Sequence, residues 1–80
     1  MKLTTGEFCL FNMKSRMQLL REKGKLLSRK IIDERHDLQL FMLWDFYVEV
    51  LRNYNEQKIV RVEPLYNTGL LNIYYGYPVL

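Results

Sequence analysis

The residues that could do chemistry fall into four groups. The densest is Asp33-Glu34-Arg35-His36-Asp37, which holds the single histidine of the chain. A metal site or an acid–base pair needs such side chains to converge on one point. Neighbours in an extended turn point apart, and no second cluster of His and Cys stands at metal-ligand spacing. The expectation here is a solvated hairpin loop, with no metal and no cofactor. The second group is Tyr47, Glu49, Arg61 and Glu63. If their strands pair, these four share one sheet face. Tyr47 and Glu49 are then candidate proton-transfer groups, and the plainer expectation is a cross-strand ion pair.

The third group is Cys9 alone. Its neighbours Phe8 and Leu10 suggest a small buried hydrophobe, and nothing beside it in sequence would lower a thiol pKa. The fourth is aromatic. Tyr66, Tyr74, Tyr75 and Tyr77 lie in a stretch, Glu63 to Leu80, with no Lys or Arg. Tyrosines that stack nucleobases are usually interleaved with cations, whereas tyrosines at protein interfaces need none. Glycine-rich phosphate loops and serine nucleophile elbows are absent from the sequence. No catalytic residue is assigned.

These groups must be positioned by a small scaffold. Eighty residues make one domain, residues 1–80, with a net charge of +3 and 49% hydrophobic residues. One cysteine excludes an internal disulfide, so stability must come from an apolar core or from self-association. The first residues lack the apolar h-region of a signal peptide, and no apolar run approaches the length of a membrane span. The expected location is cytoplasmic, with no membrane association.

Leu38–Leu43 and Phe46–Leu51 are apolar, aromatic and β-branched, and Trp44-Asp45 between them fits a two-residue turn, with Asp45 tolerating a left-handed backbone. That turn sets Leu43 opposite Phe46, Phe41 opposite Val48 and Gln39 opposite Val50. Lys58–Glu63 alternates as a third strand. A hairpin centred on Asn55 sets Val50 opposite Val60, Val48 opposite Val62 and Glu49 opposite Arg61. The core face then carries Phe41, Leu43, Phe46, Val48, Val50, Val60 and Val62. Leu38, Leu40 and Met42 make the reverse face apolar along one strand, which calls for a cover: the tail, the N-terminal segment or a second copy.

Upstream, residues 1–7 read as loose. Asn12 as N-cap, the spacing of Met13, Met17 and Leu20, and Gly24 as a stop predict a helix over 13–23. Residues 25–32 read as an edge strand rather than a resumed helix. In the tail, Gly69–Tyr74 reads as a short helical turn capped by Thr68. The fold class is α+β: an N-terminal helix packed on a three- or four-stranded antiparallel β-meander, closed by a short C-terminal helical turn.

Charge divides the chain. Residues 1–30 hold eight Lys or Arg against two Glu, net +6, and residues 31–80 hold four against seven acids, net −3. The plain reading is mutual attraction between the halves. The functional expectation is a non-catalytic interaction module that forms a homodimer or binds a protein partner through Leu38, Leu40, Met42, Tyr66, Tyr74, Tyr75 and Tyr77. The alternative is a nucleic-acid-associated protein using Lys14, Arg16, Arg21, Lys23, Lys25, Arg29 and Lys30.

Overall fold

The structure, a computed structural model, describes residues 2–66. Two helices precede a four-stranded antiparallel meander. They are α1 (Thr5–Cys9), α2 (Met13–Lys23), β1 (Lys25–Ile31), β2 (His36–Leu43), β3 (Phe46–Asn53) and β4 (Lys58–Pro64), and the strands lie in chain order. The α+β class and the antiparallel sheet agree with the sequence reading. The C-terminal helical turn expected over Gly69–Tyr74 lies outside the described residues.

The N-terminus departs from expectation. Residues 4–7 are ordered by a capping box: the Thr4 hydroxyl accepts from Glu7 N at 3.2 Å, and the Glu7 carboxylate accepts from Thr4 N at 3.0 Å. Two early helical donors are thus satisfied reciprocally. This turn delivers Phe8 into the core, where its ring meets Phe46 edge-on at 5.8 Å between centroids. The second helix follows its sequence signals. Asn12 Oδ1 accepts from Ser15 N at 2.8 Å, and Met17 and Leu20 are buried. Gly24 ends it by close approach rather than by a left-handed backbone. Its φ is −81°, and a Cβ there would sit 2.6 Å from the Leu20 carbonyl oxygen.

The β2–β3 hairpin has the expected register, Leu43↔Phe46, Phe41↔Val48 and Gln39↔Val50. Its positive backbone angle falls on Trp44, at φ 54°, and not on Asp45. A two-residue loop needs positive φ at its first position to match the strand twist. Trp44 accepts this conformation while its ring packs against the core.

The β3–β4 register differs from expectation by two residues. Val50 faces Val62, Val48 faces Pro64, Glu49 faces Glu63 and Leu51 faces Arg61. Leu51 and Arg52 are consecutive, but their partners are Arg61 and Ile59, so Val60 is the extra residue of a bulge. Val60 is consequently 49% exposed rather than core, and Ile59 takes the place packed against the core. Shifting a strand by two residues preserves which face each side chain occupies. Val48, Val50 and Val62 therefore still share one buried cluster with Phe8, Met17, Leu20, Leu43 and Phe46.

Arg16 binds this layer together from the edge. Its guanidinium donates to the carbonyls of Phe11 at 2.9 Å, Val62 at 2.7 Å and Cys9 at 2.8 Å. It also lies over the Phe8 ring, 5.7 Å from the centroid. One side chain thus joins α1, α2 and the outermost strand.

Candidate functional site

The β2–β3 register continues past the apolar pairs to Asp37↔Arg52. Both residues lie on the helix-side face, at the end of the sheet away from the Trp44 turn. The β1–β2 register brings Arg29 to the same corner, opposite Gln39. The Asp37 carboxylate is fully buried and is gripped from two sides. Arg52 donates from Nε at 2.9 Å and from Nη2 at 2.7 Å, one bond to each oxygen, and Arg29 Nε donates to Oδ2. The side chains of Arg29 and Arg52 are 47% and 32% exposed. The guanidiniums therefore seal the carboxylate from water while keeping their own outer edges wet. Arg52 is the main reason that the Asp37 carboxyl titrates below the ordinary carboxylate range. Burial opposes that shift, and Arg29 reinforces it.

The corner extends outward. The Arg29 guanidinium lies over the Tyr54 ring, 5.9 Å from its centroid. Tyr54 Oη donates to the Asp33 carbonyl at 3.1 Å. A cavity of 240 Å³ opens beside the Tyr54–Gln57 turn, lined by Arg21, Arg52, Asn53, Tyr54, Gln57, Lys58 and Ile59. A second cavity, of 330 Å³, adjoins it and shares Arg21, Lys58 and Ile59; its other walls are Met13, Lys14 and Met17.

The Asp33–Asp37 cluster divides. Asp33 is an exposed turn residue whose Oδ1 accepts from Arg35 N at 2.7 Å and His36 N at 2.9 Å, with His36 Nδ1 at 3.0 Å. The Arg35 backbone donor is the largest influence holding the Asp33 carboxyl low. Asp37 belongs instead to the buried triad. His36 pairs with Asn53, whereas Tyr47 pairs with Met42. Six residues of strand, about 20 Å, separate His36 from Tyr47. The cross-strand partner of Glu49 is Glu63, and the ion pair of Arg61 runs along its own strand to Glu63 at 3.7 Å. Among the described residues no three of His, Cys, Asp and Glu converge as metal ligands.

Cys9 is exposed rather than buried, because α1 turns Phe8 inward in its place. Its Sγ lies 3.5 Å from Tyr66 Oη. That contact is the leading cause of an upward shift of the Tyr66 phenol.

The residues expected at a protein interface are distributed as follows. Leu38 and Leu40 are buried and Met42 is half-buried on the face opposite the helices. Tyr66 is 72% exposed. Tyr74, Tyr75 and Tyr77 lie outside the described residues. The expected basic surface is scattered. Lys14 and Arg21 line the adjoining cavities, Arg16 is engaged with backbone carbonyls, and Arg29 belongs to the triad. Lys23 lines a separate apolar cavity with Leu3, Phe11, Leu19 and Trp44. Lys25 and Lys30 sit opposite Met42 and Leu38 in register, on the reverse face. Arg52 and Lys58, which sequence reasoning left out, join the cation-lined corner.

The two sheet edges differ. On β4 the Val62 carbonyl is taken by Arg16, Val60 is a bulge, and Pro64 has no N–H to offer. The other edge strand is β1, where Leu27 is already partnered. Its exposed apolar residues Leu26 (49%) and Ile31 (60%) are followed by Ile32 (49%). No helix of the described residues is long and apolar enough to cross a membrane. No protein-family model, curated protein or solved structure matches the chain.

Proposed function

We propose that this chain is a small non-catalytic interaction module that binds a protein partner by strand addition at β1. The observation that carries the reading is the chemistry of that edge. By register, Lys25 and Lys30 lie on the reverse face, while Leu26 and Ile31 lie on the helix-side face. Lysines on one face, and apolar residues either side of the Asp37-bound Arg29 on the other, fit an incoming strand that alternates acidic and apolar residues. Backbone hydrogen bonds supply affinity in such pairing, and the alternate side chains supply specificity. Two copies of β1 are a poor match for each other. Pairing them would bring Lys25, Arg29 and Lys30 of both strands into one seam, and like charges across a seam are destabilising. The scatter of the basic residues over several surfaces favours this reading over a nucleic-acid stripe, which needs cations on one face.

The test is fluorescence anisotropy with a labelled peptide of alternating Glu and Val. Binding that weakens with salt and is lost in Lys25→Glu/Lys30→Glu is the expected result. Both lysine side chains are exposed and make no ion pair or hydrogen bond among the described residues, so the fold should tolerate the reversal. Binding unchanged by the reversal, or none at low salt, overturns the reading. Sedimentation of the chain alone tests the homodimer reading: a concentration-dependent dimer would assign the apolar edge to a second copy.

A further inference from the structure

We infer that the cation-lined corner between α2 and the Tyr54–Gln57 turn binds the phosphate group of a small phosphate monoester whose apolar or aromatic body lies along the adjoining groove. The site is independent of the β1 edge.

Three cations from three elements meet at one cavity: Arg21 on the last turn of α2, Arg52 at the end of β3 and Lys58 at the start of β4. Their states differ in a useful way. Arg52 is held in place by its two bonds to Asp37, which fix the plane of its guanidinium. The Arg21 side chain makes no ion pair or hydrogen bond among the described residues. Lys58 has only a loose neighbour in Glu56, at 3.8 Å, and both side chains are more than half exposed. One fixed guanidinium and two available cations suit a dianion, and charge-assisted bonds from guanidinium to phosphate are among the stronger polar contacts. At 240 Å³ the cavity is smaller than the roughly 300–1,000 Å³ typical of sites that hold a whole drug-sized ligand. It suits a headgroup.

The neighbouring cavity suits the rest of such a molecule. It shares Arg21, Lys58 and Ile59 with the first and adds Met13 and Met17. Methionine sulfurs make favourable contacts with aromatic rings and adapt to irregular shapes. Met13 is 41% exposed although it lies on the helix's apolar stripe, so covering it would gain apolar burial. The expected ranking is therefore phenyl phosphate above inorganic phosphate, and both above phenol. The competing anion is Glu56, whose removal should tighten binding.

The experiment is an NMR titration of the full chain with inorganic phosphate, phenyl phosphate and phenol, following backbone amides. The expected result is saturable shifts at Arg21, Tyr54 and Lys58 with both phosphates, and further shifts at Met13 and Met17 with phenyl phosphate. Arg21→Gln or Lys58→Gln should weaken both phosphates by about tenfold or more. Met13→Ala should weaken phenyl phosphate alone. These are exposed positions, and unchanged shifts elsewhere in each spectrum would verify the fold. Two results overturn the inference. One is an absence of shifts at the corner up to the solubility of the probe. The other is shifts spread equally over Lys23, Lys25 and Lys30, which is general counterion binding. Inorganic phosphate bound as tightly as phenyl phosphate would retain the anion site and remove the groove from it.

Discussion

Replacing Asp37 by Asn tests whether the buried triad holds the open end of the sheet together. The substitution keeps the volume and removes the charge that Arg29 and Arg52 share. Three charge-assisted hydrogen bonds end on this carboxylate. Removing one partner of a fully buried pair costs about 3–5 kcal/mol. Here the guanidiniums are one-third to one-half exposed and can recruit water, so solvent discounts that figure to about 1–3 kcal/mol. In an 80-residue domain that is a Tm drop of roughly 5–20 °C. The pH dependence follows from the direction of the shift. Asp37 titrates lower in the folded chain than in the unfolded chain. Its stabilisation is therefore complete above the unfolded value, about pH 3.9, and is lost as pH falls below it through the folded value. The assay is urea unfolding of wild type and Asp37→Asn at stepped pH. Asp33 and Asp45 are also shifted down, so the difference between the two proteins, not the wild-type curve, isolates Asp37. The gap should be widest at neutral pH and close in acid. A gap below about 0.5 kcal/mol at pH 7, or one that stays constant into acid, refutes the reasoning.

Further outcomes are expected of single substitutions, each read by thermal or urea unfolding. Gly24→Ala should destabilise by about 1–3 kcal/mol, because the new methyl meets the Leu20 carbonyl rather than a movable side chain. Arg16→Lys should cost about 1–3 kcal/mol even though the charge is kept, since an ammonium cannot reproduce the guanidinium's planar fork to three carbonyls. Thr4→Ala should cost about 0.5–2 kcal/mol through loss of the cap, and amide exchange in α1 should accelerate with it.

Much of this architecture is legible in the residues, and the departures have identifiable causes. The second helix shows its stripe, its Asn12 cap and its glycine stop. The first helix has the Thr-x-x-Glu signature at Thr4 and Glu7, but a five-residue helix is too short to display periodicity. The β3–β4 register is the instructive case. Alternation determines which face a residue occupies, and it excludes a slip of one. It does not distinguish Val50↔Val60 from Val50↔Val62, because both place valine on valine. The bulge at Val60 and the four-residue turn decide between them, and neither leaves a mark in the alternation. Asp37 is the opposite case. The Leu43↔Phe46 register, extended six residues, places Asp37 across from Arg52. A cluster that reads as loop chemistry thus hides a strand residue. The third member, Arg29, depended on the β1 pairing and its bulge at Leu27, which local pattern does not encode. The cation-lined corner was invisible for the same reason: Arg21, Arg52 and Lys58 come from three elements.

The proposed role assigns the β1 edge to a partner strand, and amide hydrogen exchange along residues 25–32 addresses it most directly. In the free chain, β1 amides directed away from β2, that of the already partnered Leu27 aside, should exchange quickly, while those bonded to β2 are protected. Saturation with the Glu/Val peptide should slow the outward set and leave β4 unchanged. Outward β1 amides already protected in a dilute monomer, or protection that appears on β4 instead, would contradict the account.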